Sequence, residues 1–202
     1  MKTCSEDRRL HDGLTYDAYL AAWKAKLEQP LKGLAAEQRR YHYFARYNYE
    51  RSQRVHEAFA PSAALREAVQ AAATPPCWMV LTEDWCSDSA FTLPVLVEAA
   101  RLNPGITLRI LHRDEHLDLM DRYLTRGSRS IPKLVAFDEA GEERFVWGPR
   151  TEGARRLREE RFAAGATKDE VTQALLAWYE HGGWREVEDE LIAALHAASS
   201  AA

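Results

Sequence analysis

Apolar positions recur with a helical period at both ends of the chain and gather into short unbroken runs in the middle. Behind Thr15, a capping residue, Tyr16, Tyr19, Leu20, Trp23 and Leu27 follow a 3.6-residue repeat that Pro30 and Gly33 close. A second helix is expected from about 34 to 59. It is unusually aromatic and basic, with Tyr41, Phe44 and part of Tyr47 as the packing stripe and the arginines as a solvated face. Pro61 and Ser62 open a third helix through Leu65, Ala68, Val69 and Ala72, which Thr74-Pro75-Pro76 stops. The character then changes. Runs at 78–81, 106–111, 131–137 and 144–147 are β-prone and too short for helices, and read as four strands. A helix with Phe91, Leu93, Leu96 and Val97 follows the first run, and Ser87, Asp88 and Ser89 supply its N-cap chemistry. Asn103-Pro104-Gly105 is a turn, and Asp114 caps a helix with Leu117, Met120, Tyr123 and Leu124 that Gly127 stops. The turn at 138–141 makes the last two strands a hairpin. Beyond Gly148-Pro149, helices begin at Thr151 and at the capping box Thr167-Lys168-Asp169-Glu170, the latter with Val171, Leu175 and Trp178 on one face. Gly182-Gly183 breaks that helix, and Trp184, Val187, Leu191 and Leu195 mark a last amphipathic one. Residues 1–14 read as a frayed tail.

A strand–helix–strand unit must be parallel with a right-handed crossover, whereas a hairpin must be antiparallel. If the third strand lies antiparallel beside the first, four distant chain points meet at one sheet edge. They are Cys86, His112-Arg113-Asp114, the stretch 129–132 and the stretch 147–150. In open α/β sheets that edge is where ligands bind.

The length of 202 residues suits one compact domain with additions at its ends. The expected division is an N-terminal helical extension over 1–75, a core over 76–150 and a C-terminal helical extension over 151–202, packed on the core. The net charge of −4 gives no ground for a nucleic-acid or anionic-membrane partner. The aromatic and basic helix at 34–59 has the composition of a single-strand-binding surface, but no recognised pattern surrounds it, and packing is the preferred reading. No apolar run approaches the roughly 20 residues of a membrane span. The charged N-terminus lacks the apolar stretch of a signal peptide. Three cysteines, Cys4, Cys77 and Cys86, lack framework spacing, so free thiols in the cytoplasm are expected. The seven histidines form no ligand pattern, so neither metal nor cofactor is expected.

Cys86 is the candidate reactive atom. It lies where a strand feeds a helix, and the unpaired amides and positive dipole end of a first helical turn favour a thiolate. An ordinary thiol is about 3% ionised at neutral pH, and making it mostly thiolate takes roughly 2.7 kcal/mol. A helix terminus supplies about 0.3–1 kcal/mol, or about 2 when partly buried. Glu83, Asp84 and Asp88 oppose ionisation, so a cation is required. Arg113, Arg129 and Arg150 all fall on the converging edge, and Arg129 or Arg150 is expected to face the sulfur. Cys77 opens the strand that Cys86 follows, too far away at about 3.3 Å per residue for the two to pair.

Residues 76–150 resemble the thioredoxin-like superfamily. The likeness rests on Trp85-Cys86 at a strand-to-helix junction, Pro94 eight residues on, Ser130-Ile131-Pro132 before a strand hairpin, and Gly148 at the end of the last strand. More narrowly, Glu83, Asp84, Trp85, Cys86, Asp88 and Trp147-Gly148-Pro149-Arg150 resemble a bacterial single-cysteine group with an E-x-W-C-x-D site, a W-G-P-R strand end and helices at both ends. The resemblance implies a four-stranded mixed sheet flanked by helices. It also implies a cis peptide at Pro132 that leaves the backbone of Ile131 free for an extended substrate, with Trp85 and Trp147 as groove walls. The departures are chemical. Ser89 stands in the place of a second active-site cysteine, and Val80 in the place of a buried acid that assists deprotonation, with Glu83 the nearest substitute.

The expected activity is that of a monothiol thiol–disulfide oxidoreductase or mixed-disulfide carrier, with Cys86 as nucleophile and Ser89 and Pro132 shaping the site. Its partners would be a disulfide-containing protein or a small thiol. A serine cannot resolve the mixed disulfide, so glutathione, another low-molecular-weight thiol, or Cys4 must do so. The alternative is a non-catalytic binding module that holds a peptide or protein in the same groove. A sulfur walled off from solvent speaks for that alternative.

Overall fold

The computed structural model describes residues 12–71 and 77–200. Cys4 and the Thr74-Pro75-Pro76 stop lie outside the described residues. Three helices come first: α1 (Tyr16–Glu28), α2 (Ala36–Ala58) and α3 (Ala63–Ala71). The middle of the chain holds β1 (Cys77–Thr82), α4 (Ser87–Arg101), β2 (Thr107–His112), a 3-10 turn (Arg113–Glu115), α5 (Leu117–Met120), β3 (Lys133–Phe137) and β4 (Glu143–Trp147). After it come α6 (Glu152–Ala163), α7 (Lys168–Glu180), a second 3-10 turn (Gly183–Arg185) and α8 (Glu186–Ser200).

The four strands form one sheet in the order β2-β1-β3-β4. β1 runs parallel to β2 and antiparallel to β3, and β3 is antiparallel to β4. The register brings the C-terminal ends of β1, β2 and β4 and the start of β3 to one edge, with Thr82 opposite His112, Leu81 opposite Lys133, and Leu134 opposite Trp147.

Alternation along the strands sorts the core into two layers. Trp78 and Val80 of β1 join Leu134 and Ala136 of β3 in the larger cluster, against α4 and helices from both ends of the chain. Met79 and Leu81 join Val135 and Phe137 on the opposite face, where Leu119, Met120 and Tyr123 cover them. Helix α4 lies between the sheet and its neighbours α2, α3 and α8. Almost every residue from Asp88 to Ala100 is buried, which is why this helix is apolar all round rather than striped.

Three elements differ from the sequence reading. The packing face of α2 is His42, Ala45, Asn48, Ser52 and Val55, while Tyr43, Phe44 and Tyr47 are 58%, 38% and 41% exposed. Small residues let α2 approach α4 closely, and the aromatic rings turn outward. The helix expected through Leu124 stops at Met120, because Arg122 and Tyr123 bond back only three residues and Thr125 and Ser128 close a turn on each other. On α7 the inward ring is Tyr179, not Trp178. Thr15, Thr151 and Thr167 cap their helices as the residue types imply, but the N-cap of α4 is Cys86 itself rather than Ser87 or Asp88.

Candidate functional site

The edge geometry delivers Cys86 to the N-terminus of α4, opposite the loop that enters β3. The Ile131–Pro132 peptide is cis, and pairing of β3 with β1 begins only at Lys133, so the backbone of Ile131 lies beyond the ladder. The Cys86 thiol donates to the Ile131 carbonyl at 3.4 Å. Gly148 has φ +102°, and a Cβ there would collide with the Pro132 carbonyl oxygen, so glycine is required where β4 ends against this loop. Lys133 turns its Nζ to the Gly148 carbonyl at 2.8 Å, tying the two strand ends together.

The electrostatics run against a resting thiolate. Cys86 is only 8% exposed. Burial, and then the charge of Asp88, push its pKa up to about 11, against a weaker pull from Ser89 and Arg150. Asp88 is itself buried, and Arg150 lies 2.5 Å from it. Burial nevertheless holds the Asp88 carboxyl above its ordinary range. Tyr179 lies beside this pair, its phenol pushed well up by burial and by the Asp88 charge. An acid in the first turn of an apolar helix was the sequence signal for this pairing, since a buried carboxylate is nearly always partnered.

The three candidate cations therefore divide. Arg150 reaches the neighbourhood of the sulfur, but Asp88 takes its charge. Arg129 turns away to an exposed bidentate pair with Asp121, at 2.6 and 2.8 Å. Arg113 pairs with Asp114, donates to the Arg129 carbonyl and lies over the Trp85 ring at 4.9 Å. Of the two arginines expected to face the sulfur, Arg150 comes near it but is paired with Asp88, and Arg129 points away to Asp121.

Ser89 is 2% exposed and its hydroxyl accepts from Thr82 at 2.7 Å, so the position of a resolving cysteine is filled by a buried hydrogen bond. Trp85 is half-buried and stacks with Tyr41 of α2, ring centroids 5.2 Å apart. Trp147 is not a groove wall. It faces the larger cluster, paired with Leu134, and its Nε1 donates to Glu190 of α8 at 2.7 Å. Strand alternation gives the reason, because Trp147 points to the α4 side of the sheet while Ile131 and Cys86 belong to the opposite cluster. Glu83 does not replace the acid missing at Val80. It accepts from the Asp114 amide at 2.8 Å and faces His112 at 3.3 Å, whose pKa this partner raises. Asp84 is held by Lys26 of α1 at 2.7 Å. Tyr41, Thr82, Tyr179 and Glu190 are contacts that sequence reasoning did not place. Cys86 is a free thiol. Among the described residues no group of three or more His, Cys, Asp or Glu side chains is placed to hold a metal ion, and no helix is long and apolar enough to cross a membrane.

A mixed four-stranded sheet with a cysteine at the start of the helix after β1, facing a cis-proline loop, defines a thioredoxin-like protein. A family model described as thioredoxin matches residues 35–164, more than half of the chain, and the chain belongs to that family. The match begins inside the N-terminal helical region and ends after α6, so it includes more than the sheet and its own helices. Two solved structures share the fold. One is a Pseudomonas aeruginosa protein of unknown function, PA1234, at 22% identity, covering 98% of this chain and 99% of that one with a TM-score of 0.58. The other is an HIV epitope-scaffold at 21% identity, covering 94% and 97% with a TM-score of 0.58. No curated protein matches the chain.

Proposed function

We propose that this protein is a monothiol thiol–disulfide oxidoreductase that works as a mixed-disulfide carrier through Cys86, in the reducing cytoplasm. The observation that carries the reading is the meeting of the Cys86 thiol with the Ile131 carbonyl, at a backbone stretch free to pair with an extended partner. In the first step Cys86–SH and R–S–S–R give Cys86–S–S–R and R–SH. In the second, a small thiol R′–SH such as glutathione attacks, returning Cys86–SH and releasing R–S–S–R′. No second active-site cysteine competes, since Ser89 cannot form a disulfide. A thiol of raised pKa attacks slowly, because few molecules are ionised, and also leaves slowly from a disulfide once formed. That combination suits holding a partner for long periods rather than rapid turnover.

The test is incubation of the reduced protein with oxidised glutathione at rising pH, followed by intact mass and peptide mapping. One adduct at Cys86 is expected, forming about tenfold faster per pH step of one below the thiol pKa, and absent in Cys86→Ser. If the folded protein takes no adduct at Cys86 even near pH 9, the exchange reading is lost. The burial of Cys86 favours a second reading, a binding module in which the thiol is only a hydrogen-bond donor to Ile131. In that case Cys86→Ser leaves partner binding intact.

A further inference from the structure

The exposed rings of α2 have no role in the core, and they lead to the cysteine. Trp85, directly before Cys86, packs with the Arg113 guanidinium and with the Tyr41 ring. Phe44 follows Tyr41 by three residues, on the same side of α2, with the Arg40 guanidinium 5.4 Å from its centroid. Tyr43 and Tyr47 meet edge to face at 4.7 Å, their hydroxyls 2.9 Å apart. Between 39 and 47 the helix carries three arginines and no carboxylate, in a chain whose net charge is −4. Arg40 and Arg46 have no carboxylate partner among the described residues, and Arg39 donates only to the Leu34 carbonyl and so remains uncompensated. The nearest acids along the helix are Glu37, which accepts from Tyr41, and Glu50.

We infer that this face of α2 docks an acidic, apolar-anchored segment of the protein whose disulfide reaches Cys86, with the rings from Trp85 to Tyr47 as anchors and Arg39 and Arg40 as the groups that select carboxylates. The identity of the partner as a disulfide carrier rests on the exchange reading above; the docking of an acidic segment does not. Exposed aromatic rings supply contact area at low entropic cost, and unpaired guanidinium groups bind carboxylates through two parallel hydrogen bonds. A single strand of nucleic acid fits less well. It brings no disulfide to the thiol, and Tyr43 and Tyr47 are locked to each other edge to face rather than presenting parallel faces to bases.

The test uses the reduced full chain and two fluorescein-labelled peptides of equal length, one alternating Glu and Leu with a terminal Phe, the other with Lys in place of Glu. Anisotropy at about 0.15 M salt should show the acidic peptide binding about tenfold more tightly, with the difference shrinking as salt rises. The double substitution Arg39→Ser, Arg40→Ser should abolish the preference, and Phe44→Ala should weaken both peptides. Circular dichroism should be unchanged in each variant, since these side chains are exposed. Equal affinity for the two peptides overturns the inference, as does tighter binding of an unstructured oligonucleotide than of the acidic peptide. A retained acidic preference alongside a Cys86 that takes no disulfide keeps the docking surface and removes the exchange reading.

Discussion

The Arg150 guanidinium lies 2.5 Å from the Asp88 carboxylate, two residues along the chain from Cys86. The contact satisfies a buried acid and at the same time withdraws the only candidate arginine near the sulfur from the role of activating it. Breaking a buried pair by removing one member costs about 3–5 kcal/mol, because the remaining charge is left uncompensated. The pair therefore serves the fold first, and the thiol, held neutral by burial and then by the Asp88 charge, gains only a weak pull from the arginine.

The first prediction follows directly. With a pKa of about 11, roughly one Cys86 in ten thousand is ionised at neutral pH. Alkylation at pH 7 should be much slower than for free cysteine and should still be rising at about pH 10. Asp88→Asn removes the opposing charge and frees Arg150 to face the sulfur, so alkylation at neutral pH should accelerate by about tenfold or more. Arg150→Met should do the reverse and cost about 3 kcal/mol in a denaturant melt. Rates unchanged in both variants would mean that the pair does not set the thiol.

A second prediction concerns pH and stability. Glu83 raises the pKa of His112 in the folded state. The folded protein thus holds this proton more tightly than the unfolded chain does. The stabilisation is fully present below the ordinary histidine value of about 6.5, and is lost as pH rises through the higher folded value. Melting temperature should fall from about pH 6 to about pH 9, and His112→Gln should flatten that fall. An identical slope in the variant would assign the dependence to other groups.

The third prediction separates the two tryptophans. Trp147 donates to Glu190 at 2.7 Å and anchors α8 to β4. Trp147→Phe should cost about 1.5–3 kcal/mol, the range for a bond to a charged group, and should leave Cys86 alkylation unaltered. Trp85→Ala should instead change alkylation while costing less stability, because Trp85 is half-exposed at the rim. A large rate change in Trp147→Phe would put that ring back at the site.

The fourth concerns the absent second thiol. Ser89→Cys places a thiol one helical turn along from Cys86, at the cost of the Thr82 hydrogen bond, about 1 kcal/mol. The variant should form an internal disulfide on mild oxidation and gain insulin-reducing activity that the parent lacks. If the two thiols fail to pair, burial at position 89 outweighs their proximity.

Much of the architecture was legible because it depends on local chemistry. Thr15, Thr151 and Thr167 act as caps wherever a helix begins, and short β-prone runs bounded by turns give strands in any context. The face assignments were less so. Phe44 and Ala45 are neighbours, and choosing between them depends on how closely α4 approaches, which no property of α2 contains. The same holds for Trp147, whose side of the sheet follows from its register with Leu134.

The site divides in the same way. The sequence by itself determined that one cysteine heads the helix after β1, that a serine occupies the resolving position, and that arginines and acids gather at one sheet edge, because residue order and strand topology suffice for each. Only the tertiary structure decided which arginine meets which acid and how deeply the sulfur is buried. Those outcomes depend on solvent exclusion and on distances of a few ångströms between segments far apart in the chain. Burial and the Asp88 charge act together on the sulfur there, and whether an arginine offsets them depends on where its guanidinium is placed.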